Sequence, residues 1–411
     1  METGLLEMSA SERERAFVVR QVTGGLMQQK DAAARLGLSV RQVKRLVRAW
    51  RAEGAKGLVS RRRGRASPRR LEAGLSERIV GLLSGVYAGF GATLAAEKLC
   101  ERDGITVSRE TVRRLQIVHG LWRAKRRREK RVFSPRERRG RFGELVQIDG
   151  SPHDWFEGRG PRACLIVFID DATNRLTALT FVPAESTEAY LKALKQHILS
   201  HGLPLAFYCD RHGIFRVNAK EAASGDGKTA FGRIAEALGI ELIAAQTPQA
   251  KGRVERANQT LQDRLVKEMR LKAISSIAEA EAFLPEFIAW WNGRFAIPPR
   301  EAAVAMRPWT GDAGALEDAL AIREERVLSK ALSFRARGQL YAIKSKGPGL
   351  ALRGTKVTLL YRLDGTMKVL WRERALDYTA FGPSRAQAPA ESAKSLGHRL
   401  DTHIAKLPAA A

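Results

Sequence analysis

The chain is poor in cysteine and histidine. Its 411 residues include three cysteines, Cys100, Cys164 and Cys209, and seven histidines. The cysteines lie far apart, which argues against a disulfide framework and a cysteine-rich zinc site and fits a reducing compartment. The histidines show no metal-ligand spacing. We read Cys209 as an apolar strand residue, because free cysteine is commonly buried.

Long apolar segments are missing as well. No run approaches the roughly 20 apolar residues that cross a bilayer, so we expect no membrane partner. Residues 1–7 lack the basic and then apolar order of a signal peptide, and no Walker-type phosphate loop is visible. We therefore expect a cytoplasmic protein whose chemistry does not use ATP. The 44% of hydrophobic residues can still form ordinary cores, in about two to four domains.

Acidic residues are outnumbered by basic ones, above all in the first third of the chain. The formal net charge is +27, and residues 1–140 hold 33 lysines and arginines against 14 acidic residues. Positive charge concentrated in one part of a chain is typical of a nucleic-acid binder. Ordinary solvated helix faces are the alternative, which the density of arginine disfavours.

A helix-turn-helix is predicted near the N-terminus. A short alanine-rich helix ends at Gly37, and Ser39 suits the N-cap of the next helix. That helix is expected to bury Val40, Val43 and Val47 and to place its polar face in the major groove. A plain helical hairpin is the alternative. The predicted DNA contacts on this helix are Arg41, Gln42, Lys44, Arg45 and Arg48.

Two arginine-rich stretches, residues 59–74 and 123–140, are predicted to be basic linkers. In the first, Arg62, Arg63 and Arg65 can follow phosphates or lie in a minor groove. A linker that is merely solvated is the alternative.

A second helix-turn-helix is predicted between these linkers, over residues 75–122. Helices are expected at 75–86 and 92–101, and a third begins after the N-cap Ser108. Its predicted DNA contacts are Arg109, Arg113 and Arg114.

From about residue 141 the pattern changes to alternating strands and helices, which predicts a mixed sheet with helices on its faces over 141–300. Trp290, Trp291 and Phe295 are expected to close the final helix of this region. Strands are predicted at 144–150, 163–170, 176–182, 205–210 and 240–245, and helices at 187–200, 230–238 and 251–270.

Two of these strands end in an aspartate, and the helix from 251 carries a glutamate. Asp149 ends the first strand, Asp210 ends the fourth, and Glu255 lies in the first turn of the helix. Carboxylates are hard ligands that suit Mg²⁺, and two such ions can stabilise both the attacking and the leaving oxygen of a phosphodiester. In a basic chain this pattern indicates metal-dependent cutting and joining of a phosphate backbone. A surface ion pair of Glu255 with Lys251 or Arg256 is the alternative.

The glutamate helix is predicted to have an apolar and a polar face. The apolar stripe, which should pack on the sheet, is Val254, Ala257, Leu261 and Leu265. The adjacent polar face is Lys251, Glu255, Asn258 and Gln262. We predict DNA contacts at four residues, of which Asn258 can alternatively orient Glu255. They are Lys251, Arg253, Arg256 and Asn258.

Two adjacent acids compete for the site. Asp170 and Asp171 end the second strand, but neighbouring strand residues point to opposite faces, so at most one can join. We read Asp170 as structural and Asp171 as the start of a turn.

The C-terminal third returns to short strands. Strands at 339–343, 356–361 and 367–371, with an Asp364-Gly365 hairpin turn, predict a small β-barrel over residues 325–382. The tail at 385–411 is predicted to be disordered.

Four segments in order resemble the DDE transposase and integrase superfamily, and most closely the bacterial insertion-sequence transposases of the ISNCY group. They are residues 147–156, 168–173, 208–213 and 248–258, within a resemblance that spans about 20–380. It implies a multidomain α plus α/β protein with N-terminal helix-turn-helix domains, a ribonuclease-H-like mixed-sheet catalytic core over 141–300 and a small C-terminal β-barrel. The first helix-turn-helix domain would span residues 10–58.

The resemblance also implies a function and a catalytic set. Asp149, Asp210 and Glu255 would be the catalytic metal ligands, for Mg²⁺ with Mn²⁺ able to substitute. The protein would bind terminal inverted repeats, cut and transfer DNA strands, and act as at least a dimer on double-stranded DNA in the bacterial nucleoid. The separation of Asp210 from Glu255 exceeds that of retroviral-type members, which predicts a local insertion over 212–228.

Two other functions remain open from the sequence. One is a catalytically inactive DNA-binding regulator derived from a transposase, against which the intact triad argues. The other is a general ribonuclease-H-like nuclease, which would not need separate recognition helices.

Overall fold

A computed structural model describes residues 6–61, 71–123, 136–210, 212–215, 217, 227–245, 252–345, 347 and 349–381. The chain divides into two compact units, Met1–Arg123 and Ala124–Ala411. Among the described helices, none is both long and apolar enough to cross a bilayer. Most of both predicted basic linkers and the whole tail at 385–411 lie outside the described residues. So do four predicted DNA contacts, which are Arg62, Arg63, Arg65 and Lys251.

The first unit begins with the predicted helix-turn-helix. Gly37 adopts the left-handed conformation with φ of 62° that ends the second helix, and Ser39 forms a reciprocal cap with Gln42 at the start of the third. Val43 and Val47 are buried as predicted, but Val40 is 40% exposed. The prediction for Val40 was wrong because the core begins one turn later. The helices are α1 (Ala10–Thr23), α2 (Gln29–Leu36) and α3 (Val40–Glu53), followed by a 3₁₀ turn (Gly54–Leu58).

The second set of helices in this unit also forms near its predicted positions. Ser108 caps the third of them by accepting a hydrogen bond of 3.1 Å from the Thr111 amide. Val112 and Leu99 are fully buried, and Gln116 donates to the Phe90 carbonyl. The helices are α4 (Ala73–Ser84), α5 (Ala92–Asp103) and α6 (Arg109–Val118).

The second unit is built on a five-stranded mixed sheet, as predicted. The strands are β1 (Val146–His153), β2 (Ala163–Asp170), β3 (Leu176–Val182), β4 (Ala206–Cys209) and β5 (Glu241–Ala244). Their order is β3-β2-β1-β4-β5. The first three strands pair antiparallel, whereas β4 is parallel to β1 and β5 is parallel to β4.

Helices cover both faces of this sheet, which is why every residue of β2 and β3 is buried. One face packs against α7 (Thr187–His201) and α8 (Ala230–Ala237). The other packs against α9 (Gly252–Leu271) and α10 (Ile277–Phe295). The predicted apolar stripe of α9 is buried in this second core, since Val254, Leu261 and Leu265 are fully covered.

The first strand is longer than predicted. It runs to His153 rather than ending at residue 150, because it pairs with β2 along its whole length, up to His153 opposite Ala163. Asp149 therefore lies within a paired strand, opposite Val167 of β2.

The C-terminal strands form two antiparallel sheets around one apolar core. The elements are α11 (Ala313–Ala319), β6 (Ile322–Val327), β7 (Ser333–Ala336), β8 (Gln339–Ile343), β9 (Lys356–Tyr361), β10 (Met367–Trp371), β11 (Arg374–Leu376) and β12 (Tyr378–Phe381). In place of the predicted barrel, the described strands form one sheet of order β11-β10-β9-β6 and another of order β12-β8-β7. Gly365, with φ of 84°, makes the predicted turn between β9 and β10.

Candidate active site and DNA-binding helices

The register of β1 and β4 sets Asp149 beside Asp210. Val146 pairs with Phe207 and Gln147 with Tyr208 in a parallel ladder. The same register, continued by two residues, places Asp149 level with Asp210, and adjacent strands lie about 4.8 Å apart. Two aspartates that are distant in sequence thus lie at the same end of two adjacent strands.

Both aspartates also influence the ionisation of Tyr190 on α7. Burial, a hydrogen bond to Glu185 and the negative charges of Glu185, Asp149 and Asp210 all raise the pKa of its phenol. The negative charges of all three carboxylates therefore act on this one side chain, and Glu185 contacts it directly. Glu185 also lies against Gly150, where an added Cβ would come within 2.6 Å of its Oε1. The sequence analysis missed Glu185, because no local pattern separates it from other acids that precede a helix.

Three polar contacts join α9 to β1. The β1 residues are two apart and lie on one face of the strand, and their partners are four apart on one face of the helix. The spacing of the contacts is similar along the two elements, because two strand residues rise about 6.7 Å and four helix residues rise about 6.0 Å. The contacts are the Val254 amide to Gln147 Oε1 at 3.1 Å, Asn258 Nδ2 to Asp149 Oδ2 at 2.8 Å, and Gln262 Nε2 to Ser151 Oγ at 3.0 Å.

Glu255 lies on α9 between two of these contacts, Val254 and Asn258. Glu255 follows Val254 directly and is exposed, and it has no side-chain partner among the described residues. The alternative ion pair with Arg256 does not form, and Lys251 lies outside the described residues. Asp210 is held differently, because its Oδ1 accepts a hydrogen bond of 3.0 Å from the His212 amide.

The oxygen atoms of Asp149, Asp210 and Asn258 are of the kind that binds a hard cation. Within the described part of the chain, no group of three or more His, Cys, Asp and Glu side chains is arranged to hold a metal ion. Asn258 Oδ1, however, is buried without a hydrogen-bond partner there, although its amide nitrogen binds Asp149. Carboxylate oxygens beside an unpaired amide oxygen fit hydrated Mg²⁺, whose water ligands donate hydrogen bonds.

Asp170 is structural, as predicted. It is fully buried, and its oxygens accept hydrogen bonds from the Gly143 amide at 2.9 Å and from the Thr173 amide at 2.8 Å. Burial raises the pKa of this carboxyl.

Asp171 starts the predicted turn but does more than that. It is fully buried and accepts hydrogen bonds from Gln147 Nε2 and Arg253 Nη1, both at 2.7 Å, and from Arg136 and the Arg139 amide. The Arg253 side chain, predicted to contact DNA, is only 14% exposed and is bound in this ion pair. Asn258 is likewise bound to Asp149. Both side chains therefore make contacts within the protein.

The other predicted DNA contacts within the described residues, on α3, α6 and α9, lie at the protein surface. Arg41, Gln42, Lys44, Arg45 and Arg48 on α3 are exposed, as are Arg109, Arg113 and Arg114 on α6 and Arg256 on α9. Gln42 has a second task, since its Oε1 accepts a hydrogen bond of 2.9 Å from the Ser39 amide at the helix cap.

Comparisons with known proteins bear on both units. Residues 14–66 match a family model described as a helix-turn-helix domain, and residues 42–115 match one described as a homeodomain-like domain. The Sinorhizobium fredii protein y4bF, provisionally named a transposase, is 43% identical over 379 residues, which are 92% of this chain and 82% of y4bF. The transposase for insertion sequence IS1202 of Streptococcus pneumoniae is 28% identical over 92% of this chain and 90% of its own length.

Solved structures give weaker likenesses. A chain of the simian T-cell lymphotropic virus intasome in complex with PP2A regulatory subunit B56 gamma is 15% identical, with a TM-score of 0.31 over 74% of this chain and 100% of that chain. The HTLV-2 integrase catalytic core domain in complex with magnesium is 19% identical, with a TM-score of 0.27 over 38% of this chain and 87% of that domain.

Proposed function

Because this chain belongs to the DDE transposase family, we propose that it binds the terminal inverted repeats of its insertion sequence and catalyses DNA strand cleavage and strand transfer. The observation that carries the chemical part of this proposal is the placement of Asp149 level with Asp210, with the helix of Glu255 bound along the same strand.

Asp149, Asp210 and Glu255 would hold Mg²⁺, or Mn²⁺ in its place. Asn258 orients the Asp149 carboxylate, and the His212 amide orients that of Asp210. The exposed carboxylate of Glu255 would complete the set when DNA is bound. When present, the metal would stabilise the attacking and leaving oxygens of the phosphodiester.

Two displacements at phosphorus follow from this arrangement. In the first, water attacks the phosphate at the element end, the bond to the 3′ oxygen breaks, and a 3′-hydroxyl is exposed. In the second, that hydroxyl attacks a phosphate of target DNA, and a new phosphodiester forms as the target bond breaks. One bond forms for each that breaks, so no ATP is required.

Recognition would lie in the helical unit. The exposed basic residues of α3 suit the major groove, and those of α6 suit a second contact on the same DNA. Arg256, exposed one residue after Glu255, would contact a phosphate near the cut. Because two element ends must be paired before transfer, we expect at least a dimer on DNA. The protein would then act in the cytoplasm, on the nucleoid.

The test is cleavage of a labelled duplex that carries the terminal repeat, beside an unrelated duplex, with Mg²⁺, with Mn²⁺ and with a chelator. The proposal predicts a metal-dependent cut at the element end of the first duplex only. Tight binding without any cut would support the inactive regulator instead. Equal cutting of both duplexes would support a general nuclease.

A further inference from the structure

Gln147 connects the strand of Asp149 to the helix of Glu255. It is fully buried and lies two residues before Asp149, so both side chains point to the same face of β1. Its Oε1 accepts a hydrogen bond of 3.1 Å from the Val254 amide. Val254 is in the first turn of α9, where backbone amides have no partner within the helix. Gln147 therefore caps α9 from the neighbouring strand.

The buried carboxylate of Asp171 fixes the direction of the Gln147 amide. Asp171 Oδ1 accepts from Gln147 Nε2 at 2.7 Å, and an ionised carboxylate can only accept. The nitrogen end of the amide must face Asp171, which leaves the oxygen end facing Val254. Arg253, in the same turn of α9, donates to the same Asp171 oxygen at 2.7 Å. The Arg253 side chain and the Val254 amide of this turn are thus bound by Asp171 and Gln147, which are themselves hydrogen-bonded to each other.

The height of α9 along β1 decides which residue meets Asp149. At the observed height Asn258 does so, with Glu255 one turn nearer the helix start. A slide of one helical turn, about 5.4 Å, would bring Val254 or Gln262 to that position. The apolar stripe alone would tolerate such a slide, because its residues recur at each turn.

We propose that Gln147 is a positioning residue that fixes α9 along β1 and thereby holds Asn258 and Glu255 beside Asp149. This inference rests on the proposed function. Gln147 does not touch the reacting atoms, and it acts through the Val254 amide and Asp171.

The chain offers a matched control. Gln262 donates to Ser151 Oγ at 3.0 Å in the same series of contacts, but on the other side of Asp149 and away from the helix start. Gln147→Met keeps the length of the side chain and loses both hydrogen bonds. Gln147→Glu keeps an acceptor for the Val254 amide, and it donates to Asp171 only when its carboxyl is protonated. Gln262→Met removes one contact at the far end.

The experiment measures two things on the full-length chain: hydrogen exchange of the peptide 252–258 without DNA or metal, and kcat and KM for cleavage of the element-end duplex. For Gln147→Met we expect faster exchange in this peptide and a kcat about 10- to 100-fold lower at unchanged KM, the usual effect of losing an outer contact of a metal site. Gln147→Glu should fall between it and the wild type. Gln262→Met, which leaves the first turn of α9 bound to Gln147, should keep the wild-type exchange of this peptide.

Exchange and kcat at wild-type levels in both Gln147 variants would overturn the inference. If Gln147→Met unfolds, Gln147→Glu decides alone by the same two readouts. A wild-type protein that does not cleave would refute the proposed function instead, and the exchange of 252–258 would still show whether Gln147 holds the helix.

Discussion

Asn258 donates a hydrogen bond of 2.8 Å to Asp149 across 109 residues of sequence, and its own carbonyl oxygen is left buried without a partner among the described residues. The bond ties the helix of Glu255 to the strand of Asp149. The unpaired oxygen is an acceptor beside a carboxylate, where a hydrated cation or a bound DNA end would supply a donor. Asn258 therefore binds a proposed metal ligand, Asp149, directly.

Replacement of Asn258 by leucine should weaken catalysis more than binding. Without the amide, Asp149 loses an orienting donor, and outer contacts of this kind typically contribute about 10- to 100-fold to activity or metal affinity. Single-turnover cleavage, with DNA affinity measured in parallel, checks this. Gln259→Leu, at an exposed neighbouring position, is the control and should cleave normally. Equal rates for the two variants would contradict the role of Asn258.

Asp171→Asn should destabilise the catalytic unit. The substitution leaves Arg136 and Arg253 without their buried counter-charge, and breaking a buried ion pair costs about 3–5 kcal/mol. Urea unfolding, followed by the fluorescence of the buried Trp155 and Trp291, gives the free energy of unfolding. Asp263→Asn breaks only a pair to Lys267 in which the acid is exposed, and should cost no more than about 1 kcal/mol. A similar loss in both variants would refute the prediction.

Stability should fall in mild acid because of His197. This ring is fully buried beside Phe168 and Phe207, and burial, followed by the charge of His201, lowers its pKa to about 3. Between the unfolded pKa of about 6.5 and the folded value, the unfolded chain binds a proton that the folded chain excludes. Unfolding free energy should therefore drop by about 1.4 kcal/mol per pH unit as pH falls below 6.5, and should be insensitive to this group above it.

The comparison with His197→Leu isolates this contribution. Denaturant titrations of both proteins at pH 7, 6 and 5 should show a shallower decline in the variant. Parallel curves would mean that His197 does not exclude the proton.

Arg45 on α3 should contribute to DNA affinity through charge. Arg45→Ala should weaken binding of the terminal repeat and reduce the slope of log K against log salt by about 0.9 if one phosphate contact is lost. Arg13→Ala, at an exposed position on α1 rather than α3, is the control. Titrations at several salt concentrations give both slopes, and an unchanged slope for Arg45→Ala would place this residue away from the phosphates.

Local patterns were enough to predict most of the helices and strands. The bounds of β2 and β3 follow from continuous apolar runs, and those of α9 from a stripe with helical spacing, since these signals lie within one segment. The hairpin at Asp364-Gly365 carries its own turn chemistry. Predictions made from these segments therefore agree with the structure to within a few residues.

The contacts that position the site could not be predicted in this way. Gln147 meets Asp171 and Val254 only after β1, β2 and α9 have packed, and nothing near Gln147 in the sequence marks it. Arg253 resembles a surface cation until its buried partner is known. The open pair of C-terminal sheets likewise depends on which strands pair, a choice that the alternating pattern of each strand leaves free.

The most direct test of the account is the single-turnover rate of cleavage at the element end, in Mg²⁺, for the wild type, Glu255→Gln and Asp263→Asn. Both substitutions remove one exposed acid from α9, and only the first removes a proposed metal ligand. We expect Glu255→Gln to bind the duplex without cutting it, whereas Asp263→Asn should cut at the wild-type rate. Cleavage by Glu255→Gln at the wild-type rate would contradict this expectation.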